Sequence, residues 1–186
     1  MRLIASTIFS IPPSTKTPWN KRVVLGIWTT KYLSLCQKYL PDFPICFIGF
    51  STLYASQFLA VPNISFNILY SVLMGPIGSS FIKKCKKYGH PVFAWTANEE
   101  SIMRWCIRKE LDGVVTNDPA KYLEVCEEFE HPEKTIGDER LTWKELAFVL
   151  KNYLLVTFCV WAFMWRFGWR VEKRFQRRSG VSGKKA

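Results

Sequence analysis

An α/β fold built on a parallel sheet is what this 186-residue chain predicts, and three observations carry the prediction. Short apolar runs recur at a spacing of roughly 20 to 25 residues, and each is followed by a helix-patterned segment, the rhythm of strand–helix units. The runs are continuous rather than alternating, which indicates strands covered on both faces. The apolar content of 48% is that of a packed globular domain and excludes a chain disordered throughout.

The units follow in order. Residues 1–20, "MRLIASTIFSIPPS" and the "TKTPWN" after it, read as an irregular leader and linker, with no small-x-small cleavage site of a signal peptide. "RVVLGIW" (22–28) is the first strand. "TKYLSLCQKYL" (30–40) places Tyr32, Leu35, Cys36 and Tyr39 on one helical face. "FPICFIGF" (43–50) is the second strand, "TLYASQFLAV" (52–61) a helix and "NISFNILY" (63–70) the third strand. The segment "PIGSSFIKKCKKYGHP" (76–91) is a helix with Phe81, Ile82 and Cys85 inward, lysines outward, Gly89 as its stop and Pro91 beyond. "PVFAWTANEE" follows, with a strand over Val92–Thr96 and Asn98 as cap of the next helix, "EESIMRWCIRKEL". "DGVVTNDP" (112–119) is the fifth strand with its turn, and "AKYLEVCEEFE" (120–130) the fifth helix. In such a sheet any function resides on the loops at the strand C-termini, which makes Trp95, Thr96 and Asn98 rim residues.

The charge is uneven. Between Arg166 and Ala186 stand eight Lys or Arg against Glu172 alone, so +7 of the net +11 belongs to the tail. A basic tail on a mildly basic body points to an anionic surface partner rather than to a nucleic-acid fold. The six cysteines (36, 46, 85, 106, 126, 159) are scattered with no CxxC, which argues against zinc ribbons and redox motifs and for reduced structural thiols facing the cytosol. The aromatic content of 16% includes eight Trp, four of them at or beyond Trp143.

Those late Trp residues mark a different kind of segment. After a polar linker, 131–140, residues 141–169 read as a membrane-associated helix and 170–186 as a basic tail. Leu146–Trp165 is 20 residues, about the length that crosses a bilayer, although the uninterrupted apolar part is Tyr153–Trp165. Tyr153, Trp161, Trp165 and Trp169 form an aromatic belt, and Arg170 and Arg174 lie where anionic head groups would be met. Lys151 and the cysteines favour monotopic or hairpin-like insertion, with both ends cytosolic, over a full span. The competing expectation is an amphipathic helix buried in the core.

"PVFAWTANEE" and, about 20 residues on, "LDGVVTNDP" resemble the last two strands of the glycerophosphodiester phosphodiesterase family, which end in Trp-Thr-Val-Asn and Asp-Gly-Ile-Ile-Thr-Asp-x-Pro. The match falls on Trp95, Thr96 and Asn98, and on Asp112, Gly113, Thr116 and Pro119; Asn117 departs from the family's usual Asp. Upstream, "RVVLGIW", "FPICFIGFS" and "ISFNILY" look like strands four to six of the same barrel. The Gly-x-Trp ending and the apolar tail look most like the fungal phosphatidylglycerol-specific phospholipase C branch. The resemblance implies that residues 21–130 are the C-terminal part of a TIM-type (β/α) barrel, about five of eight units, followed by the membrane helix.

It also implies a pocket lined by Trp28, Trp95, Asn98 and Asn117. The family's chemistry uses a His-Arg pair, a Glu-x-Asp, a second His and a Glu and Lys, all on its first three strands. The carboxylates hold calcium or magnesium and the imidazoles move protons. This chain has two His, His90 at a helix end on the bottom of the barrel and His131 in the linker, and no Glu-x-Asp at a strand end. The expectation is therefore no catalytic residue and no metal held by these 186 residues, in the C-terminal portion of a membrane-tethered phospholipid phosphodiesterase with a truncated or alternative start. Its partners would be anionic membrane and a phospholipid or glycerophosphodiester, not nucleic acid, and its place the endoplasmic reticulum or lipid-droplet surface. An inactive membrane-bound module that binds lipid or protein is the alternative.

Overall fold

The computed structural model describes residues 1–12, 16–130, 147, 150–151, 153–159 and 161–162. Five parallel strands lie side by side in chain order: β1 (Leu25–Ile27), β2 (Ile45–Gly49), β3 (Ile64–Leu69), β4 (Val92–Trp95) and β5 (Gly113–Val115). Parallel strands need a crossover between neighbours. Here these are α2 (Thr30–Tyr39), α3 (Thr52–Ala55) continued by a 3₁₀ turn over Ser56–Phe58, α4 (Tyr70–Leu73) with α5 (Pro76–Tyr88), and α6 (Glu100–Arg108); α7 (Pro119–Glu130) follows β5. The register Phe47↔Phe66↔Val92 aligns the central strands at mid-height. The arrangement is the α/β half of a barrel, five parallel units with β1 and β5 as its two edges.

Several sequence expectations change in this context. The strands are not buried on both faces: β2 reads buried, half-buried, buried, half-buried, buried, and β3 and β4 alternate likewise. Ile45, Phe47, Ile64, Phe66, Ile68, Val92 and Ala94 point to the helices and form the core with Leu33, Phe58, Phe81 and Trp105. Cys46, Ile48, Ser65, Asn67 and Phe93 point to the other side, where no further layer lies against the sheet among the described residues.

The leader read as irregular is instead a helix, α1 (Arg2–Ser10), whose Ala5 is buried and whose Met1 and Ile8 pack on the core. Five of its nine residues are apolar, but Leu3, Ile4 and Phe9 are exposed, so the run does not mark a core-facing helix stripe by itself. On α2 the inward face is Leu33, Cys36 and Leu40, while Tyr32 is exposed. Of the predicted stripe, Cys36 is buried and Tyr39 packs on the core, while Tyr32 turns to solvent and Leu33 takes the inward place beside it.

The segment 52–61 is two short helical pieces rather than one helix, and a four-residue helix, α4, precedes α5. Gly78 explains how α4 and α5 pack: a Cβ there would lie 2.2 Å from the Leu73 carbonyl oxygen. The stop at Gly89 is as predicted, with φ of 70° and its amide donating to the carbonyls of Cys85 and Lys86.

No helix among the described residues is long and apolar enough to cross a membrane. The predicted membrane helix, 141–169, falls largely outside the described residues. Those described between 147 and 162 are helical, with Tyr153 and Val156 half-buried and Leu150, Leu154, Leu155, Phe158 and Trp161 exposed. A core helix would bury them.

Candidate functional site

The C-terminal ends of the strands bring the four predicted rim residues together as two pairs. Trp28 follows β1 and Trp95 ends β4; their rings meet edge to face at a centroid distance of 5.9 Å and an interplanar angle of 77°, the favoured geometry for two indoles. Trp28 is 50% exposed and Trp95 half-buried. Trp95 is fixed from below, because its Nε1–H donates to the Asn67 carbonyl oxygen at 3.1 Å. Two strands lie between β1 and β4, so this pair spans the open face of the sheet.

Asn98 and Asn117 form the second pair. Asn98 was expected to cap α6, but the N-cap is Glu99, with no side-chain cap bond. The Asn98 Oδ1 instead accepts from the Asn117 amide at 2.9 Å and from Thr116 Oγ1 at 3.2 Å. The chain after β4 therefore folds back over β5, where Ala97 N also donates to the Val115 carbonyl. The helix start lost the competition to a long-range partner that the sequence does not display. Asp118 caps α7, its Oδ1 accepting from Lys121 N at 3.0 Å, so this rim carboxylate is engaged.

Three rim residues escaped sequence reading. Asn67 sits on the half-buried face of β3; its carbonyl receives Trp95, while its Oδ1 is buried without a partner among the described residues. A polar residue inside the apolar run "SFNILY" was the available signal. Tyr54 accepts the Thr30 amide at 3.1 Å and ties the loop after β1 to α3. Tyr70, at the end of β3, has its phenol pushed up by burial and then by the negative charge of Glu99.

At the opposite end the groups are structural. His90 Nε2 lies 2.9 Å from the Leu59 carbonyl oxygen, and its ring packs on Phe66 and Tyr88. Asp112 accepts the Val92 amide at 2.7 Å while its own amide donates to the Val92 carbonyl. The Asp of the Asp-Gly motif is thus a latch between β4 and the start of β5. Glu100, on α6, pairs with Arg104, which also reaches Glu128 on α7.

A concavity of about 1100 Å³ is lined by Gly26, Cys46, Ser65, Asn67 and Phe93 along the sheet and by Asn20, Asp42 and His90 below. Its lining includes Asn67 but none of Trp28, Trp95, Asn98 and Asn117, so it lies along the face of the sheet below the two rim pairs. The described residues contain no group of three His, Cys, Asp or Glu placed to hold a metal, and the rim residues do not fit a calcium or magnesium site. His131, Trp165, Trp169, Arg170 and Arg174 lie outside the described residues. Tyr153 approaches Gly75, and Trp161 is exposed beside Phe158.

A five-unit parallel (β/α) arrangement with an aromatic rim and an Asp latch under its last strand defines a barrel-type α/β protein. The glycerophosphoryl diester phosphodiesterase family model matches residues 3–121, well over half of the chain, and the chain belongs to that family. The match takes in α1. Among solved structures, a crystal structure assigned as a glycerophosphoryl diester phosphodiesterase from Silicibacter pomeroyi DSS-3 is similar, with a TM-score of 0.52 and 17% identity. The alignment covers 60% of this chain and 40% of that one, and the likeness is one of fold. No curated protein matches the chain.

Proposed function

We propose that this chain contributes the C-terminal rim and the membrane tether of a phosphodiesterase acting on phospholipid phosphodiesters, with a phosphatidylglycerol phospholipase C of the fungal type as the nearest functional description. The observation that carries the reading is the Trp28–Trp95 pair. In a family that cleaves phosphodiesters, two indoles set edge to face at the strand ends offer an apolar corner for the glycerol or acyl portion of a substrate, beside the amide groups of Asn98 and Asn117. In this layout residues 21–130 are barrel, 141–169 the membrane-associated helix and 170–186 the basic tail, at the endoplasmic reticulum or lipid-droplet surface.

A complete domain of this kind uses calcium or magnesium to offset charge on the phosphate. The residues described here do not form such a site, so no step is assigned to a metal on this chain; its own groups bind and orient. The same absence of a ligand set favours a second reading, a catalytically inactive module that binds lipid or protein at the membrane.

The test is direct. The purified 186-residue chain, in detergent, is assayed with phosphatidylglycerol and with glycerophosphodiesters in the presence of calcium or magnesium, and its pelleting with membranes is measured with and without residues 141–186. The expected result is no turnover, membrane association of the full chain and release of the truncated one. Turnover abolished by EDTA would refute the inactivity of this chain, and pelleting of the truncated form would refute the tether.

A further inference from the structure

The rim is apolar on one side only. Leu53 and Ile77 are 64% and 57% exposed, and Trp28 and Phe50 are about half exposed. Trp28 and Phe50 directly follow β1 and β2, and Leu53 and Ile77 lie in the first turns of α3 and α5, the helices that leave the C-terminal ends of β2 and β3, so all four stand at the same end of the sheet. Leu53 and Ile77 face one groove of about 370 Å³ between α3 and α5, with Lys84 at its wall and Phe81 at its base.

The loops after β1, β2 and β3 contain no Asp or Glu, whereas those after β4 and β5 carry Glu99 and Asp118. The described helical residues between 147 and 162 meet the body on this apolar side, where Tyr153 approaches Gly75, next to Pro76 of the groove. Among them the exposed Leu150, Leu154, Phe158 and Trp161 fall on one stripe at helical spacing. The sequence that follows carries the +7 of the tail.

An apolar face free of acids and beside a lysine has the polarity of a surface that meets anionic head groups, and the sequence of the chain ends in cations that favour the same partner. We propose that the rim loops after β1, β2 and β3 dock on an anionic lipid surface with Leu53 and Ile77 inserted, so that the mouth beside Trp28 and Trp95 opens at the head groups. This rests on the tether proposed above only for bringing the chain to the surface; the docking contact is a second and separate one. A substrate lipid would then enter along the membrane plane rather than from water.

The experiment places the photocrosslinker benzoylphenylalanine, one site at a time, at Leu53, Ile77, Phe158 and Tyr88 of the full chain. Tyr88 is an exposed aromatic at the lower end of α5. Each variant is irradiated on vesicles of phosphatidylcholine and phosphatidylglycerol and analysed by mass. Lipid adducts are expected at 53, 77 and 158 and not at 88. Adducts at 158 without any at 53 and 77 overturn the docking and leave the tether standing. Adducts at 53 and 77 without any at 158 uphold the docking and overturn the tether. Adducts between chains at 53 or 77 would show that a second copy covers the face, and equal labelling at 88 would show unspecific immersion; either overturns the proposal, as does no adduct anywhere.

The double variant L53D/I77D should lower vesicle partitioning by about tenfold or more with its circular dichroism unchanged. Unchanged partitioning would also overturn the docking.

Discussion

The two ends of the sheet use similar residue types in opposite ways. At the lower end, where the strands begin, His90 binds the Leu59 carbonyl and Asp112 the Val92 amide, and both serve backbone groups that would otherwise be orphaned. At the upper end Trp28 keeps half of its surface open beside the half-buried Trp95, and Asn98 holds two loops together across exposed ground. A chemically capable residue is therefore a poor guide to a site by itself. The only imidazole among the described residues is part of the frame, and the groups free to meet a substrate are indoles and amides. The difference lies in what surrounds each end: His90 and Asp112 stand beside strand starts whose backbone groups they can bond, while the upper end is left to loops.

Substitutions sharpen the contrast, beginning with the largest effect. Phe66 is fully buried against Phe81 and His90, and Phe66→Ala should lower unfolding stability by about 3–5 kcal/mol in denaturant titration. A loss comparable to that of a surface change would break the picture of a packed lower end. Asp112→Ala removes a charge-assisted bond to the Val92 amide and leaves that amide unpaired, for about 1.5–3 kcal/mol; hydrogen exchange at Val92 should speed up in parallel.

The third prediction is a pH dependence. Burial pushes the Cys106 thiol from its ordinary 9.0 up to about 12, so the neutral form is favoured in the folded chain. Its contribution is complete below pH 9 and is lost as pH rises, because the unfolded chain ionises first. Between about pH 9 and pH 10 the loss should reach about 1 kcal/mol. Cys106→Ala should flatten that part of the profile. An unchanged slope would mean that the thiol is open to solvent.

The smallest effect belongs to the rim. Asn98→Ala breaks the bonds to Thr116 and Asn117 in an exposed setting and should cost about 0.5 kcal/mol, while exchange at the Asn117 amide rises. A loss as large as that of Asp112→Ala would erase the distinction between the two ends.

The strand–helix order, the parallel direction, the stop at Gly89 and the rim position of Trp95 were all legible in the sequence, because each depends on local periodicity or on a single backbone preference. The contact of Trp28 with Trp95 was not, since it joins residues 67 apart in number through the curvature of three intervening strand pairings. Asn98 looked like a helix cap because capping is the strongest local claim on such a residue; only the folded sheet brings Thr116 and Asn117 within its reach. Asp112 appeared as a motif letter and proved to be a latch.

The half-buried inner faces of β2, β3 and β4 were read as buried, because apolar composition records what a strand can cover and not what is there to cover it. The sequence by itself determined which segments pair and in what order, through apolar runs that must leave water. Which side of each strand faces helices, which asparagine bridges the rim and which histidine is spent on a carbonyl were decided by tertiary structure, because those are settled by competition among partners far apart in the chain.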